Sequence, residues 1–593
     1  MINNAGTSRI KNSTRNMVYA YTAYLLQIVL GFLTRRYFIQ FFNAEYLGLN
    51  SLFTNVLSLL GLAELGFGAA LVFAMYKPMA DGDKEKVRQL LHFYKISYTI
   101  IGFVVLALGL LVLPFMDYFK AKAPGVDVNF YIVYIIFLTT NVVSYFFAYR
   151  RSLLYTSQRN DIESKVGMSM NFLASTLQLI VLILTKNYYL YISVTLVTAL
   201  LSNLIIYIIT QINYAEYVQK PSQYLDKNSR KEINKNVYSL IFHKIGAVVV
   251  YSTDSIIIFM CINAVTLGKY SNYILITSYL TTFLGLLLGA LRGSIGNSIA
   301  KESVDTNYKL FKRLNFLFMW IVSFCSIAFL TLANPFIDTV FNVGASNLTF
   351  DLTVLITVSI NFYLSNSRTM LGLFKECAGI FYQDRFKPIF ESIINLTTSL
   401  ILVKLIGLPG VILGTIISNI TTCLWIEPYV LHKHYFKKSV CLYWVKYIIY
   451  TISMLIAGAG TYFVCSLLPS GGIVALILKF AVCAVVPNVI LLACLFWMPE
   501  FKECVKWGVG IIKGLIKKGK TQEAVAVSNN DNAVIVSSID LDKDGIVDVE
   551  VAIPITSLED SDINNESCDI NNEADAELNQ TLVDNSVAEK EKQ

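Results

Sequence analysis

Fourteen long apolar segments run through this sequence, and they constrain its fold more than any other feature. A helix needs about 20 predominantly apolar residues to cross the hydrocarbon core of a bilayer. Each segment is about that long, so the sequence predicts an all-α polytopic membrane protein with about fourteen transmembrane helices. The predicted spans are 17–41, 47–76, 90–114, 129–153, 166–185, 188–211, 237–262, 270–299, 314–335, 351–374, 388–406, 409–431, 447–468 and 474–498.

The composition supports this interpretation. Of the 593 residues, 55% are hydrophobic and only 15% are charged, whereas an ordinary soluble domain carries roughly 25% charged residues. A soluble chain this apolar could not cover its core with polar surface. The composition therefore excludes a standard cytosolic enzyme, a disordered scaffold and a collagen-like fibre.

The sequence contains no motif for a cofactor, a metal centre or a nucleotide. Its ten cysteines form no CxxC pair and it has only four histidines, so zinc and redox motifs have no support. The GxxxxGK[ST] phosphate loop is also missing, and the predicted loops are too short for a catalytic domain. We therefore predict that the chain is not an enzyme, uses no cofactor and binds no nucleic acid.

Basic residues are distributed unevenly between the two sides of the predicted bundle. Alternate connections, beginning with the N-terminus, contain 27 Lys and Arg residues before residue 499, and the opposite connections contain five. Basic residues are retained on the cytoplasmic side of membrane proteins. With an even number of spans, this rule predicts that both termini are cytoplasmic.

A short repeat links the two halves of the chain. The segment 43–51, which opens the second span, and the segment 263–271, which opens the eighth, agree at five of nine positions with an offset of 220 residues. Both segments enter the membrane in the same direction. This pattern predicts two parallel six-helix repeats about an axis along the membrane normal, with the substrate path between two lobes.

The charge changes sharply after residue 520. Residues 521–593 contain 18 acidic and 3 basic residues, a net charge of −15, which leaves +22 of the total of +7 for residues 1–520. The tail is therefore predicted to be disordered. The predicted organisation is a cytoplasmic N-terminus (1–16), an N-lobe (17–211), a basic linker (212–236), a C-lobe (237–431), two further spans (432–498), a basic amphipathic interfacial helix (499–520) and an acidic cytoplasmic tail (521–593).

The tail contains an incomplete calcium-loop pattern. Asp540, Asp542, Asp544 and Asp548 occupy four of the acidic positions of an EF-hand loop. Position 12, which should be acidic, is Val551. The pattern is therefore only a weak calcium candidate, and an acidic solvating tail is the simpler interpretation.

Several segments resemble the polysaccharide transporter family of the MOP flippase superfamily, the group of Wzx-type O-antigen flippases. The segments are NAEYLGLNSLFTNVLSLLGLAELGFGAALVFAMYKP at 43–78, IGLPGVILGTIISNITTCLWIEPYVLH at 406–432, and YSTDSIIIF around Asp254. The resemblance covers roughly residues 8–500. It implies a V-shaped, two-lobed bundle in a bacterial plasma membrane that carries a polyprenyl-pyrophosphate-linked saccharide to the outer leaflet by alternating access, with polysaccharide assembly proteins as possible partners of the tail.

Charged residues inside predicted spans are the candidate site residues, because a charge near the bilayer centre costs at least about 2.5 kcal/mol. The substrate that the resemblance implies carries a pyrophosphate, and the planar guanidinium of arginine suits phosphate oxygens. Snorkelling or a structural salt bridge would explain the same residues. The candidates for contacts to phosphate or an acidic sugar are Arg35, Arg36, Lys244, Arg292 and Arg368.

Three other residues are candidates for ion coupling: Glu64, Asp254 and His243. His243 and Asp254 share a helix face but are about 16 Å apart along the axis, so a proton relay between them would need intermediates. Glu64 lies within the family-like LAELGFG segment, where a structural role is equally compatible with the pattern.

Other functions are compatible with parts of the sequence. A cation-coupled multidrug-type antiporter is the main alternative, although it would favour acidic sites and the core is basic. A membrane glycosyltransferase would need a large outer loop or paired carboxylates, and a non-transporting scaffold would depend on the acidic tail. The leading hypothesis is a lipid-linked saccharide flippase.

Overall fold

The computed structural model describes residues 24–64, 66–342, 347–380, 383–469 and 471–509, apart from the side chains of 232, 234–245, 247 and 251. In these ranges all regular elements are helical. The chain forms a compact unit over Met1–Lys506 and a second unit from Trp507, of which only three residues are described.

The helices are α1 (24–41), α2 (Ala44–Leu60), α3 (Phe67–Ala80), α4 (Lys84–Leu110), α5 (Met116–Lys122), α6 (Phe130–Thr156), α7 (Asn160–Thr185), α8 (Tyr188–Asn213), α9 (Ala215–Val218), α10 (Lys227–Cys261), α11 (Ala264–Lys301), α12 (Val304–Phe336), α13 (Leu352–Ser367), α14 (Thr369–Cys377), α15 (Lys387–Ile406), α16 (Leu408–Ser418), α17 (Leu424–Leu431), α18 (Cys441–Ser466), α19 (Gly472–Leu495) and α20 (499–509).

Eleven helical segments in the described ranges are long and apolar enough to cross a membrane. The other three predicted spans also coincide with helices, but each fails that test for a visible reason. Helix α1 is described only from residue 24, the apolar part of α10 is short at Val248–Cys261, and the span 351–374 is interrupted at Arg368. The predicted all-α, polytopic membrane fold is therefore confirmed.

The helices pack as two lobes. In the N-lobe, α6 packs against α4 and α8, and α7 packs against α8. In the C-lobe, α15 packs against α10 and α16, and α12 packs against α13. Helices α18 and α19 pack against α12, outside the six-helix repeat. The main contacts between the lobes are those of α2 with α10 and α11.

The contact between α2 and α11 is reciprocal. An Asn side chain caps each helix: Asn43 accepts from two backbone N–H groups of α2, and Asn263 accepts from the first turn of α11. One turn later, a Cβ added at Gly48 would overlap the carbonyl of Ala264, and one added at Gly268 would overlap the carbonyl of Ala44. These pairs are related by the 220-residue offset, so the contact has the symmetry of the sequence repeat. Small residues at such positions let two helix backbones approach closely.

Replacing Gly268 with leucine is expected to force the two helices apart. The obstacle is backbone, which cannot rotate away as a side chain can, so we expect overpacking to cost about 1–3 kcal/mol. Thermal unfolding of the purified protein measures the loss. Gly289→Leu is the matched control, because Gly289 lies on the same helix and has open space around its Cβ position. Equal stability of the two variants would contradict the tight crossing.

The connection between the lobes is held by the start of α4. Lys86 Nζ lies 3.0 Å from both Asp226 Oδ1 and Ser229 Oγ, and Arg88 Nε donates to the Glu216 carbonyl at 2.6 Å. The neighbouring Lys84 ammonium lowers the pKa of the Glu216 carboxyl by hydrogen bonding and by its charge. The linker 212–236 is basic overall, but it contacts α4 of the N-lobe through its acidic residues Glu216 and Asp226.

Candidate substrate cavity

Three cavities lie around α2 and share wall residues. The N-lobe cavity has a volume of about 630 Å³, the C-lobe cavity about 600 Å³ and the central cavity about 440 Å³. Thr54 lies on the walls of both the N-lobe and central cavities, and Ser51 and Asn55 lie on those of both the central and C-lobe cavities. All three volumes fall in the ~300–1,000 Å³ range of small-molecule sites.

The reciprocal α2–α11 contact borders the central cavity. Ser51 and Asn55 follow Gly48 by one and two helical turns, and Ser271 follows Gly268 by one turn. All three side chains line the central cavity. The cavity therefore begins immediately next to the point where the two helices are closest.

Arg35 lies on the wall of the central cavity. Its Nη1 atom donates to Ser271 Oγ at 3.3 Å, and Ser271 in turn donates to the Gly268 carbonyl at 2.7 Å. Tyr191 and Tyr279 line the same cavity. Among the described residues, no carboxylate lies within 4.0 Å of the Arg35 guanidinium. This guanidinium therefore faces the cavity without a neutralising partner in the described part of the chain.

Arg36, the next residue, points to a different environment. Its Nη1 atom donates to the Val340 carbonyl at 2.7 Å. Val340 lies in the π-helical turn Ile337–Phe341 that continues α12. Cationic side chains commonly bind the last carbonyls of a helix in this way. Arg36 thus packs against the end of α12 and is not on the wall of the central cavity.

Four buried charged residues form a cluster at the C-lobe cavity. Arg368 Nη1 lies 2.8 Å from Glu427 Oε1, and Arg368 Nη2 lies 3.8 Å from Glu391 Oε1. Lys387 forms ion pairs with the same two carboxylates. The exposed fractions of the four side chains are between 8% and 18%. With two cations and two anions, the cluster is formally neutral, so its Arg368 is already compensated.

Breaks in the helices position this cluster. Arg368 occupies the break between α13 and α14. Lys387 begins α15 beside Pro388 and lies one turn before Glu391, which is a favourable i,i+4 pairing. Glu427 precedes Pro428 in α17, after the π-helical turn Asn419–Cys423. Irregular helix geometry of this kind is frequent at functional sites.

Asp254 also lies on the wall of the C-lobe cavity. Thr415 Oγ1 donates to Asp254 Oδ2 at 2.7 Å, and Asn395 donates to Thr415 at 2.8 Å. The other carboxylate oxygen, Oδ1, is buried with no well-formed hydrogen bond among the described residues. Asp254 is therefore fixed in position by α15 and α16, with its Oδ1 atom buried.

Of the remaining candidates for phosphate contacts, Arg292 is the one whose side chain is described, and it is separate from these walls. Arg292 pairs with Glu376 at 2.9 Å and its side chain is 61% exposed, so its position gives no support to a phosphate contact. The side chains of Lys244 and His243 lie outside the description, as do the possible calcium ligands Asp540, Asp542, Asp544 and Asp548. Those assignments stay predictions.

Two solved structures have a similar arrangement of helices. One is an inward-facing multidrug resistance MATE family transporter of the MOP superfamily, with 16% identity and a TM-score of 0.54 over 70% of this chain and 94% of that chain. The other is the lipid II flippase MurJ in an inward closed conformation, with 15% identity and a TM-score of 0.58 over 80% of this chain and 98% of that chain. No protein-family model and no curated protein matches the sequence. The chain therefore shares the helical fold of these two proteins.

Within this fold, the candidate charges occupy two classes of position. Glu64, Asp254, Arg35 and Arg368 line cavities, and Arg36 and Arg292 do not. The sequence analysis missed the partners of Arg368, namely Lys387, Glu391 and Glu427. The four-residue spacing of Lys387 and Glu391 was a usable signal, but Lys387 lies one residue before the predicted span 388–406.

Proposed function

We propose that this protein moves a polyprenyl-pyrophosphate-linked saccharide from the inner to the outer leaflet of a bacterial plasma membrane. The observation that carries the proposal is Arg35, whose guanidinium faces the central cavity with no carboxylate partner in the described part of the chain. An uncompensated arginine in a low-dielectric cavity attracts a phosphate group and can bind its oxygens bidentately. An organic cation would be repelled at the same place.

The walls around Arg35 suit a polar headgroup. Asn50, Ser51, Asn55, Ser175 and Gln178 offer both donors and acceptors to the central cavity. The helical fold, which the MurJ lipid II flippase also has, is compatible with lipid-linked cargo. These features support transport of an amphiphilic anion rather than a chemical reaction on it.

Alternating access gives the α2–α11 contact a role in this proposal. In the inner-leaflet-facing state, the contact would close the cavity on the side opposite the basic connections. Separation of Gly48 from Ala264 and of Gly268 from Ala44 would then open that side. Both termini would be cytoplasmic, as the distribution of basic residues predicts.

Depletion of the protein tests the proposal directly. We expect one completed polyprenyl-pyrophosphate-linked oligosaccharide to accumulate on the inner leaflet, because its supply continues while its export stops. Mass spectrometry of lipid extracts, combined with a leaflet-accessibility assay, would measure it and identify the saccharide. Normal amounts of lipid-linked saccharide together with altered export of a dye or cation would favour an antiporter instead.

Asp254 favours ion coupling, either of this flippase or of the alternative, a cation-coupled small-molecule antiporter. Asp254→Asn keeps the size and the hydrogen bond from Thr415 but removes the charge. We expect transport by proteoliposomes to lose its dependence on a sodium or proton gradient, with a fall of at least roughly tenfold in the gradient-driven rate. Asp351→Asn is the control, because Asp351 lies at the start of α13 and outside the cavity walls. Unchanged gradient dependence would exclude Asp254 as the coupling site.

A further inference from the structure

Tyrosine is more frequent on the described wall of the N-lobe cavity, with four of eighteen residues, than in the central cavity, with two of seventeen, or the C-lobe cavity, with one of twenty-two. Ten of the eighteen residues on the N-lobe wall carry a hydroxyl or an amide, and four of these are tyrosines. Among the described residues of this wall, Glu64 and Arg151 carry a formal charge. Hydroxyl and amide groups donate and accept hydrogen bonds, and tyrosine adds an apolar ring face. This combination matches a sugar, which has hydroxyl groups at its edge and C–H groups on its faces.

Glu64 is held at this wall by an irregular stretch of helix. The last turn of α2 becomes the 3₁₀ turn Gly61–Glu64, and Gly66 has a positive φ of 80°. Tyr98 Oη donates to Glu64 Oε1 at 2.5 Å. A Cβ at Gly68 would overlap Tyr98 Oη and would come within 2.9 Å of Glu64 Oε1. Glycine at 68 therefore leaves the space that the Glu64–Tyr98 pair occupies.

The positive charge at this wall is already neutralised. Arg151 Nη1 lies 3.0 Å from Glu163 Oε1, and its Nη2 atom donates to Asn203 Oδ1 at 3.0 Å. A phosphate gains most from a cation that lacks such partners. Arg35 in the central cavity has no carboxylate partner among the described residues, and Thr54 belongs to the walls of both cavities. The two cavities are therefore adjacent, and this arrangement suits one ligand with its anionic group at Arg35 and a neutral polar group in the N-lobe cavity.

We infer that the N-lobe cavity is the saccharide subsite of the transported lipid, with Glu64 accepting sugar hydroxyl groups and Tyr145 and Tyr155 providing ring faces. This inference rests on the proposed function, since it divides one lipid-linked ligand between two cavities. It assigns the uncharged sugar residues to the N-lobe and the pyrophosphate to Arg35.

Site-specific photocrosslinking in living cells tests the assignment with the cell's own lipid-linked saccharides as the probe. The photoreactive amino acid p-benzoylphenylalanine replaces Tyr145 in the N-lobe cavity, Tyr279 in the central cavity, or Phe147 as a control. Phe147 lies on the same helix as Tyr145 but outside the cavity wall, where it contacts Tyr207. After irradiation, mass spectrometry of the tryptic peptides identifies the adducts. We expect carbohydrate on the peptide containing position 145 at a yield at least tenfold above that at position 147.

The outcomes separate the two proposals. Lipid-linked carbohydrate at position 279 without carbohydrate at position 145 would overturn the saccharide subsite and leave the flippase function standing. No lipid-linked adduct at either position would overturn the function itself. An amine-containing adduct at position 145 would replace the saccharide with an organic cation.

A second variant gives a readout that does not depend on the photoreactive residue at position 145. Glu64→Gln keeps the shape of the side chain but weakens its acceptor strength. In cells with p-benzoylphenylalanine at position 279, we expect Glu64→Gln to reduce the carbohydrate-bearing adduct at least threefold. Glu45→Gln, outside all three cavity walls, is the control. An unchanged adduct yield would contradict a direct contact between Glu64 and the sugar.

Discussion

Arg35→Gln is expected to reduce saccharide-lipid translocation by roughly 30- to 150-fold. This range corresponds to about 2–3 kcal/mol, the contribution of a hydrogen bond to a charged group. Arg35 has no carboxylate partner among the described residues. Its removal therefore leaves no buried carboxylate uncompensated there, so we expect the loss to come from the cavity contact itself. Reconstituted vesicles with a fluorescent polyprenyl-pyrophosphate saccharide and a leaflet-specific quencher would measure the rate.

The neighbouring residue is a matched control for that experiment. Arg36→Gln removes the same charge one residue later, but its side chain donates to the Val340 carbonyl and does not line the central cavity. It should lower stability slightly and leave translocation within about twofold of the wild-type rate, since the phosphate does not contact it. Equal losses in the two variants would show that the total positive charge of α1 matters, and would contradict a specific phosphate contact at Arg35.

Glu427→Gln is expected to cause the largest loss of stability. The substitution leaves the buried cations Arg368 and Lys387 with Glu391 as their one remaining carboxylate in the cluster. Removing one partner from a buried ion pair typically costs about 3–5 kcal/mol, because the remaining charge is no longer compensated. Thermal unfolding in detergent would measure the effect, with the fraction of protein that remains monodisperse at each temperature as the readout.

Two further variants identify the cause of that loss. Glu376→Gln breaks the exposed ion pair with Arg292 and should cost at most about 1 kcal/mol, because solvent screens it. The double variant Glu427→Gln with Lys387→Met restores one cation and one anion, Arg368 and Glu391. We expect it to recover much of the lost stability. If the double variant is no more stable than Glu427→Gln alone, the cluster does not stabilise the protein through its charge balance.

Periodicity and length were sufficient to predict the spans. In the described residues, each predicted span consists mainly of helix, because a bilayer requires internal hydrogen bonding of the backbone. The breaks at 61–66 and at Arg368 were not predicted, since an interrupted apolar segment still has a high mean hydropathy. The glycines of LAELGFG signalled an irregular stretch, but their role depends on Tyr98, which is 30 residues further along the chain.

The candidate site was only partly predictable, because the face that a helix presents depends on its rotation. Arg35 and Arg36 are adjacent in the sequence, yet they lie in different environments. Arg368 was selected from its position alone, and its neutralising partner Glu427 is 59 residues away. Composition indicates how many charges enter the membrane, whereas packing decides which of them are paired.

The α2–α11 contact has the geometry of an isologous dimer interface within a single chain. In a symmetric dimer of identical subunits, every substitution changes both halves of such a contact at once. Here the two halves are encoded separately, at Ala44 and Gly48 on one side and at Ala264 and Gly268 on the other. Joining the repeats in one polypeptide therefore allows selection to adjust each half of the contact alone. A single substitution can therefore change the packing of the α2–α11 contact on one side only. In a dimer of half-length subunits, the same substitution would change both sides.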